Sequence, residues 1–181
     1  MKKTINLAVS AQGYGAEAAF DYRASKTGFT VIKPFTGNEF LNMLALFSSK
    51  GYMIRKVKIF SHAYPRGIIM TNWSGFYNTP GPHDTKHAAY ISDLSQAIKT
   101  GRIILASDVE FTMFGCNMTN EDFSIKLSEA ICGVVIAAEG GVYPEIKDGR
   151  ETGVFISTNR WVKYYNGQIA VSNLGKRWRA W

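Results

Sequence analysis

His62 and Cys116 each close a short apolar run. Val57-Lys58-Ile59-Phe60 leads into Ser61-His62, and Val109-Glu110-Phe111-Thr112-Met113-Phe114 leads into Gly115-Cys116. Both runs have the length and composition of buried parallel strands. Adjacent strands lie roughly 4.8 Å apart, so two such strands side by side deliver an imidazole and a thiol to one sheet edge. A cysteine nucleophile and its base require that juxtaposition. In this reading Cys116 attacks a carbonyl carbon, while His62 takes the thiol proton and later protonates the leaving amine. The N–H groups of Cys116 and Ala63 are expected to hold the developing oxyanion. Gly115 keeps side-chain bulk away from the thiol. A helix is expected to start directly after Cys116, where its partial positive charge would favour thiolate.

The elements that must position this pair alternate between strand and helix signals, which points to an α/β sheet. Strands are expected at Thr4–Val9, Phe29–Lys33, Val57–Ser61, Val109–Phe114 and Val134–Ala138. Helices are expected over Ala16–Ser25, after an Asn38 cap, over Ser92–Thr100 with Ser92 as cap, and around Phe123, Leu127, Ala130 and Ile131. Thr119 and Asp122 read as a capping box for the last of these. Ile68–Thr71 and Phe76–Asn78 suggest a small hairpin turning at Trp73-Ser74-Gly75. Two further strands, Gly153–Ser157 and Gln168–Ser172, flank an aromatic stretch. The expectation is a single domain with a mostly parallel central sheet flanked by helices, residues 1–141 forming its core and 142–181 a β-hairpin extension. Active sites of such sheets lie beyond the carboxyl ends of the strands, where His62, Cys116 and Glu139 are all predicted.

With 181 residues, 46% hydrophobic, 19% charged and 13% aromatic, the chain has the composition of an ordinary globular protein rather than a disordered one. The net charge of +7 favours acidic partners but does not bear on fold. Two cysteines, Cys116 and Cys132, make no disulfide framework; Cys132 is expected to be a buried apolar residue at the end of a helix. Met1-Lys2-Lys3 is basic, yet Ile5 to Ala11 is too short and too polar for an export signal and reads as a strand. No apolar run reaches membrane-spanning length. These features fit a cytoplasmic protein, or one exported without a cleavable signal.

Other signals are weaker. His83 and His87 stand at i, i+4, but no third ligand accompanies them, so neither a metal nor a cofactor is assigned. Glu139 is placed to orient His62 or to receive a basic substrate side chain, against the alternative of an ordinary loop carboxylate. Arg66, Trp73 and Tyr77 lie in the hairpin after His62 and by position overhang the site. The tail Lys176-Arg177-Trp178-Arg179-Ala180-Trp181 mixes cations with large rings. It reads either as a segment that stacks on nucleic acid or, as favoured here, as a strand whose tryptophans pack on the core.

Ser61-His62-Ala63 after one strand and Phe114-Gly115-Cys116-Asn117 after the next resemble the caspase-like cysteine peptidase superfamily, which includes caspases and gingipains. The nearest likeness is to a bacterial family with S-H-G and Y-G-C-N motifs. The separation of 54 residues, from 62 to 116, matches the roughly 50-residue gap of caspases. The resemblance spans about Thr4 to Gly141. It implies a caspase-like fold and a peptidase acting on protein or peptide substrates through His62 and Cys116. Ala63, Gly115, Asn117, Glu139 and Arg66 are then the candidates for oxyanion and substrate binding. Ala63 departs from the usual glycine, and the caspase pentapeptide is absent. The alternative is an inactive relative that binds protein or nucleic acid through its basic, aromatic C-terminal segment.

Overall fold

The computed structural model describes residues 3–181. In chain order the elements are β1 (Lys3–Ser10), α1 (Glu17–Lys26), β2 (Thr30–Ile32), α2 (Gly37–Ser49) and β3 (Tyr52–Phe60). Four very short strands follow: β4 (Ala63–Tyr64), β5 (Gly67–Ile68), β6 (Phe76–Tyr77) and β7 (Ala89–Tyr90). Then come α3 (Ile91–Lys99), β8 (Leu105–Phe114), α4 (Phe123–Ala130), β9 (Val134–Glu139), β10 (Val142–Lys147), β11 (Arg150–Ser157), β12 (Arg160–Tyr165), β13 (Gln168–Val171) and β14 (Arg177–Arg179).

The central sheet has seven strands in the order β13-β12-β9-β8-β3-β1-β2. The run from β2 to β9 is parallel, whereas β12 and β13 are antiparallel. The sheet is therefore mixed, not mostly parallel. Residues 142–181 are not an extension either. They supply β12 and β13 to the main sheet and build a second sheet, β10-β11-β14.

Both faces of the central sheet are covered, which is why its inner strands read as nearly unbroken apolar runs. On one face Leu7, Val9, Val57, Ile59, Phe111, Met113 and Val135 pack under α2, α3 and α4. On the other, Ala8, Phe60, Phe114, Ile136 and Trp161 pack under α1, the β10-β11-β14 layer and the chain's last residues. Trp161, expected only as part of an aromatic stretch, is wholly buried on β12.

The β3 strand begins at Tyr52, five residues earlier than expected. A register shift between Ile54 and Lys56 leaves Arg55 as a bulge, where it pairs with Asp108 at 2.6 Å. The extra residue breaks the period-2 pattern that marks a strand. The caps also differ from expectation. Thr36, not Asn38, caps α2: its Oγ1 accepts the Glu39 N–H at 3.1 Å, and the Glu39 carboxylate accepts the Phe35 N–H at 2.8 Å. Tyr90, not Ser92, precedes α3, and its N–H donates to Asp93 at 2.8 Å. Replacing Thr36 by alanine removes one of these partners; the expected loss is about 1 kcal/mol, read as a lower chemical-denaturation midpoint at unchanged slope.

The tail follows the packed-strand reading. Trp181 meets Phe155 and Phe60 with ring centroids 5.9 and 6.3 Å away, and Trp178 meets Trp161 at 6.4 Å. Arg177 pairs with Glu145 at 2.5 Å. The Lys58 amine reaches across this face to donate to the Ala180 carbonyl at 2.5 Å; its burial, then nearby Lys56, push its pKa down. The two tryptophans of this segment thus pack, partly buried, against the core. No helix among the described residues is long and apolar enough to cross a membrane.

Candidate active site

Strand register places the two chemical groups. Phe60 of β3 is paired with Phe114 of β8, and their rings stack at 4.9 Å with planes 10° apart. His62 and Cys116 each stand two residues beyond this pair. Both line one cleft of about 260 Å³ at the carboxyl edge of the sheet. Its walls come from one face of α1 and its N-cap (Ala16, Ala19, Phe20, Arg23), from Phe114 and Phe155, and from Val142 and Tyr143 at the start of β10. A larger hollow of about 500 Å³ lies between α3 and α4, but neither thiol nor imidazole lines it.

The His62 side chain is exposed to solvent. Its ring is flanked edge-on by Phe20 and Tyr14, with centroids 5.3 and 5.7 Å away. The backbone is fixed independently, since the His62 carbonyl accepts the Ile69 N–H at 3.0 Å. Antiparallel ladders alternate bonded and non-bonded pairs, so the next pair, Ala63 with Ile68, is non-bonded. The Ala63 N–H therefore points away from β5.

Cys116 is half-buried. Its Sγ accepts the Val142 N–H at 3.3 Å. Asn117 adopts a left-handed conformation, φ 59°, which asparagine tolerates better than most residues, and its N–H donates to the Gly140 carbonyl at 2.7 Å. The Gly140-Gly141 turn is itself stitched to the residue just past β11: Thr158 N–H donates to Gly141 O and Gly141 N–H to Thr158 Oγ1, both at 2.9 Å. The thiol is thus positioned from two sides, by the end of β8 and by the β9–β10 turn. The Cys116 N–H has no acceptor among the described residues. No hydrogen bond joins the imidazole and the thiol among the described residues; catalytic contacts commonly tighten only when substrate binds.

Gly115 is where the segments carrying His62 and Cys116 touch. A Cβ there would lie 2.6 Å from the Ala63 Cβ and 3.3 Å from both Ser61 oxygens, O and Oγ. The methyl of Ala63 thus occupies the space that the absent Gly115 side chain leaves.

Several expectations change. The helix after Cys116 starts only at Phe123, beyond a series of turns, so its dipole does not act at the sulfur. Asp122 precedes it without a side-chain capping bond, so the Thr119–Asp122 capping box does not form. Glu139 is held by Arg160 at 2.5 Å and is not among the residues lining the cleft. Arg66 is committed to its own loop, donating to Tyr64 Oη and Asp84, each at 3.0 Å, and to the Thr79 carbonyl. It lies outside the cleft lining as well. The segment holding His83 and His87 forms turns, not a helix, and among the described residues no three His, Cys, Asp or Glu side chains converge as metal ligands would. Cys132 is exposed, with φ 47°, not buried.

Sequence reasoning missed Glu17, Phe20, Arg23, Val142, Tyr143 and Phe155. The Glu17 carboxylate accepts the N–H groups of Gly13 and Gly15 at 2.8 and 3.0 Å. Hydrogen bonds from its own N–H and those of Gly15 and Gly13 hold its pKa below the usual carboxylate value, and the charge of nearby His62 acts in the same direction. The available signal was a glycine-rich turn, Gly13-Tyr14-Gly15, running into an acid at a helix start.

No protein-family model matches the chain, and neither a curated protein nor a solved structure matches it.

Proposed function

We propose that this protein is a cysteine peptidase of the caspase-like type, with His62 as base and Cys116 as nucleophile. One observation carries the reading: imidazole and thiol, each two residues past a register-matched pair on adjacent parallel strands, line one open cleft. The resemblance of Ser61-His62-Ala63 and Phe114-Gly115-Cys116-Asn117 to that superfamily's motifs supports the same reading.

The steps follow from the groups present. His62 accepts the thiol proton as Cys116 Sγ bonds to the substrate carbonyl carbon. The resulting oxyanion is held by the N–H groups of Cys116 and Ala63. On collapse the C–N bond breaks, the imidazolium gives its proton to the leaving amine, and a thioester remains. His62 then takes a proton from water, the hydroxyl adds to the thioester carbonyl, and the carboxylic product leaves as the thiol regains its proton.

A peptide carrying a thiol-reactive ketone tests this in a Cys132→Ser background, needed because Cys132 is exposed. The expected result is stoichiometric modification of Cys116, located by mass spectrometry, and cleavage of a denatured-protein substrate that Cys116→Ala lacks. Equal labelling of folded and unfolded protein, without cleavage, would sink the proposal.

A further inference from the structure

The cleft beside Cys116 has a chemical character that specifies a substrate. Beside Ser61, Tyr143 and the His62–Cys116 pair, one part of its lining is apolar: Phe114 and Phe155 meet at 4.8 Å between centroids, with Phe20, Ala19 and Val142 around them. The one guanidinium in the lining, that of Arg23, is already matched. It lies 5.5 Å over the Phe155 ring and makes a double hydrogen bond with Glu151, Nε to Oε2 at 3.1 Å and Nη2 to Oε1 at 2.9 Å. Both side chains are largely buried, 15% and 18% exposed. A substrate carboxylate entering this cleft would have to displace Glu151 from a fork-to-fork pair. A substrate ammonium would find Glu151 engaged by Arg23 and Glu17 engaged by backbone N–H groups.

The volume limits what enters. About 260 Å³ is below the roughly 300–1,000 Å³ of cofactor and drug-like sites, so the cleft suits one side chain. The side chain nearest the attacked carbonyl belongs to the residue that supplies it, and the cavity adjoining Sγ is the space it meets.

Resting on the peptidase reading, we infer that the enzyme cleaves after an uncharged apolar residue of leucine or phenylalanine size, and that Glu151 enforces this choice by neutralising Arg23. Glu151 touches neither Cys116 nor His62; it sets specificity through the guanidinium it holds. One methylene in an apolar pocket changes discrimination by about 10- to 200-fold, so whole side chains are readily separated.

The test uses four otherwise identical peptidyl ketone probes ending in leucine, phenylalanine, aspartate or lysine, on the full chain carrying Cys132→Ser. Labelling of Cys116 by the leucine and phenylalanine probes is expected to be at least about 10-fold faster than by the charged ones. In Glu151→Gln the freed guanidinium raises the aspartate probe's rate at least about 10-fold relative to leucine. Should that variant fold poorly, Ala19→Leu serves instead, with a fifth probe ending in alanine: filling the cleft lowers the phenylalanine-to-alanine rate ratio at least about 10-fold. Aspartate or lysine probes that match leucine on the unsubstituted cleft would overturn the specificity while leaving the peptidase intact. So would an unchanged probe order in a folded Glu151→Gln or Ala19→Leu protein. Failure of all four probes to label Cys116 would overturn the peptidase and the specificity together.

Discussion

His62→Ala slows labelling of Cys116 by a peptidyl electrophile by about 10²- to 10⁴-fold, the usual contribution of a positioned general base. The fold should be untouched. The imidazole is exposed, its ring contacts are the edge-on ones with Phe20 and Tyr14, and the backbone anchor to Ile69 does not depend on the side chain. The expected signature is therefore a lost rate with an unchanged melting temperature. The control is a small, uncharged alkylating agent, which approaches the sulfur without needing the cleft and should lose less. If His62→Ala labels as fast as the parent with the peptidyl probe, the imidazole is a bystander and the dyad fails.

The second large effect is steric. Gly115→Ala puts a methyl 2.6 Å from the Ala63 methyl, nearer than carbon atoms can approach. The Ser61–Ala63 and Gly115–Cys116 segments must part. Overpacking of this kind costs typically about 1–3 kcal/mol, and at about 2–4 °C per kcal/mol for a chain this long the melting temperature falls visibly. Labelling of Cys116 should fall with it, because the same displacement moves the sulfur relative to His62. Ala63→Gly in the same chain removes the colliding methyl and is expected to restore most of both losses. The two substitutions are thus strongly non-additive, as contacting pairs are. Additive effects would show that the segments are not in contact.

The paired strand ends were legible because each buried strand announces itself by local composition, and a residue just past such a run is at the edge whatever the rest of the chain does. The surroundings were less so. Arg23 and Glu151 meet across 128 residues, and nothing in either neighbourhood announces the other. The helix expected directly after Cys116 begins only at Phe123, because the left-handed Asn117 turns the chain before it can coil. Cys132 looked buried because it extends an apolar helix face, yet it occupies the left-handed position just after the helix, where the chain turns outward. The antiparallel edge is hidden in the sequence because Trp161, Val162 and Tyr164, buried on β12, read as an aromatic stretch rather than as a two-sided strand.

The Val142 N–H that meets the sulfur belongs to a layer built late in the chain. Tyr143 and Phe155 of the cleft come from that same layer, and β11 is flanked in it by β10 and β14. Residues up to Glu139 supply both side chains and the α1 wall, whereas Val142, Tyr143 and Phe155, and with them the donor to the sulfur, come only with this layer. The enclosure of the cleft consequently depends on the docking of the β10-β11-β14 sheet, a long-range event that the strand-end pair cannot supply by itself.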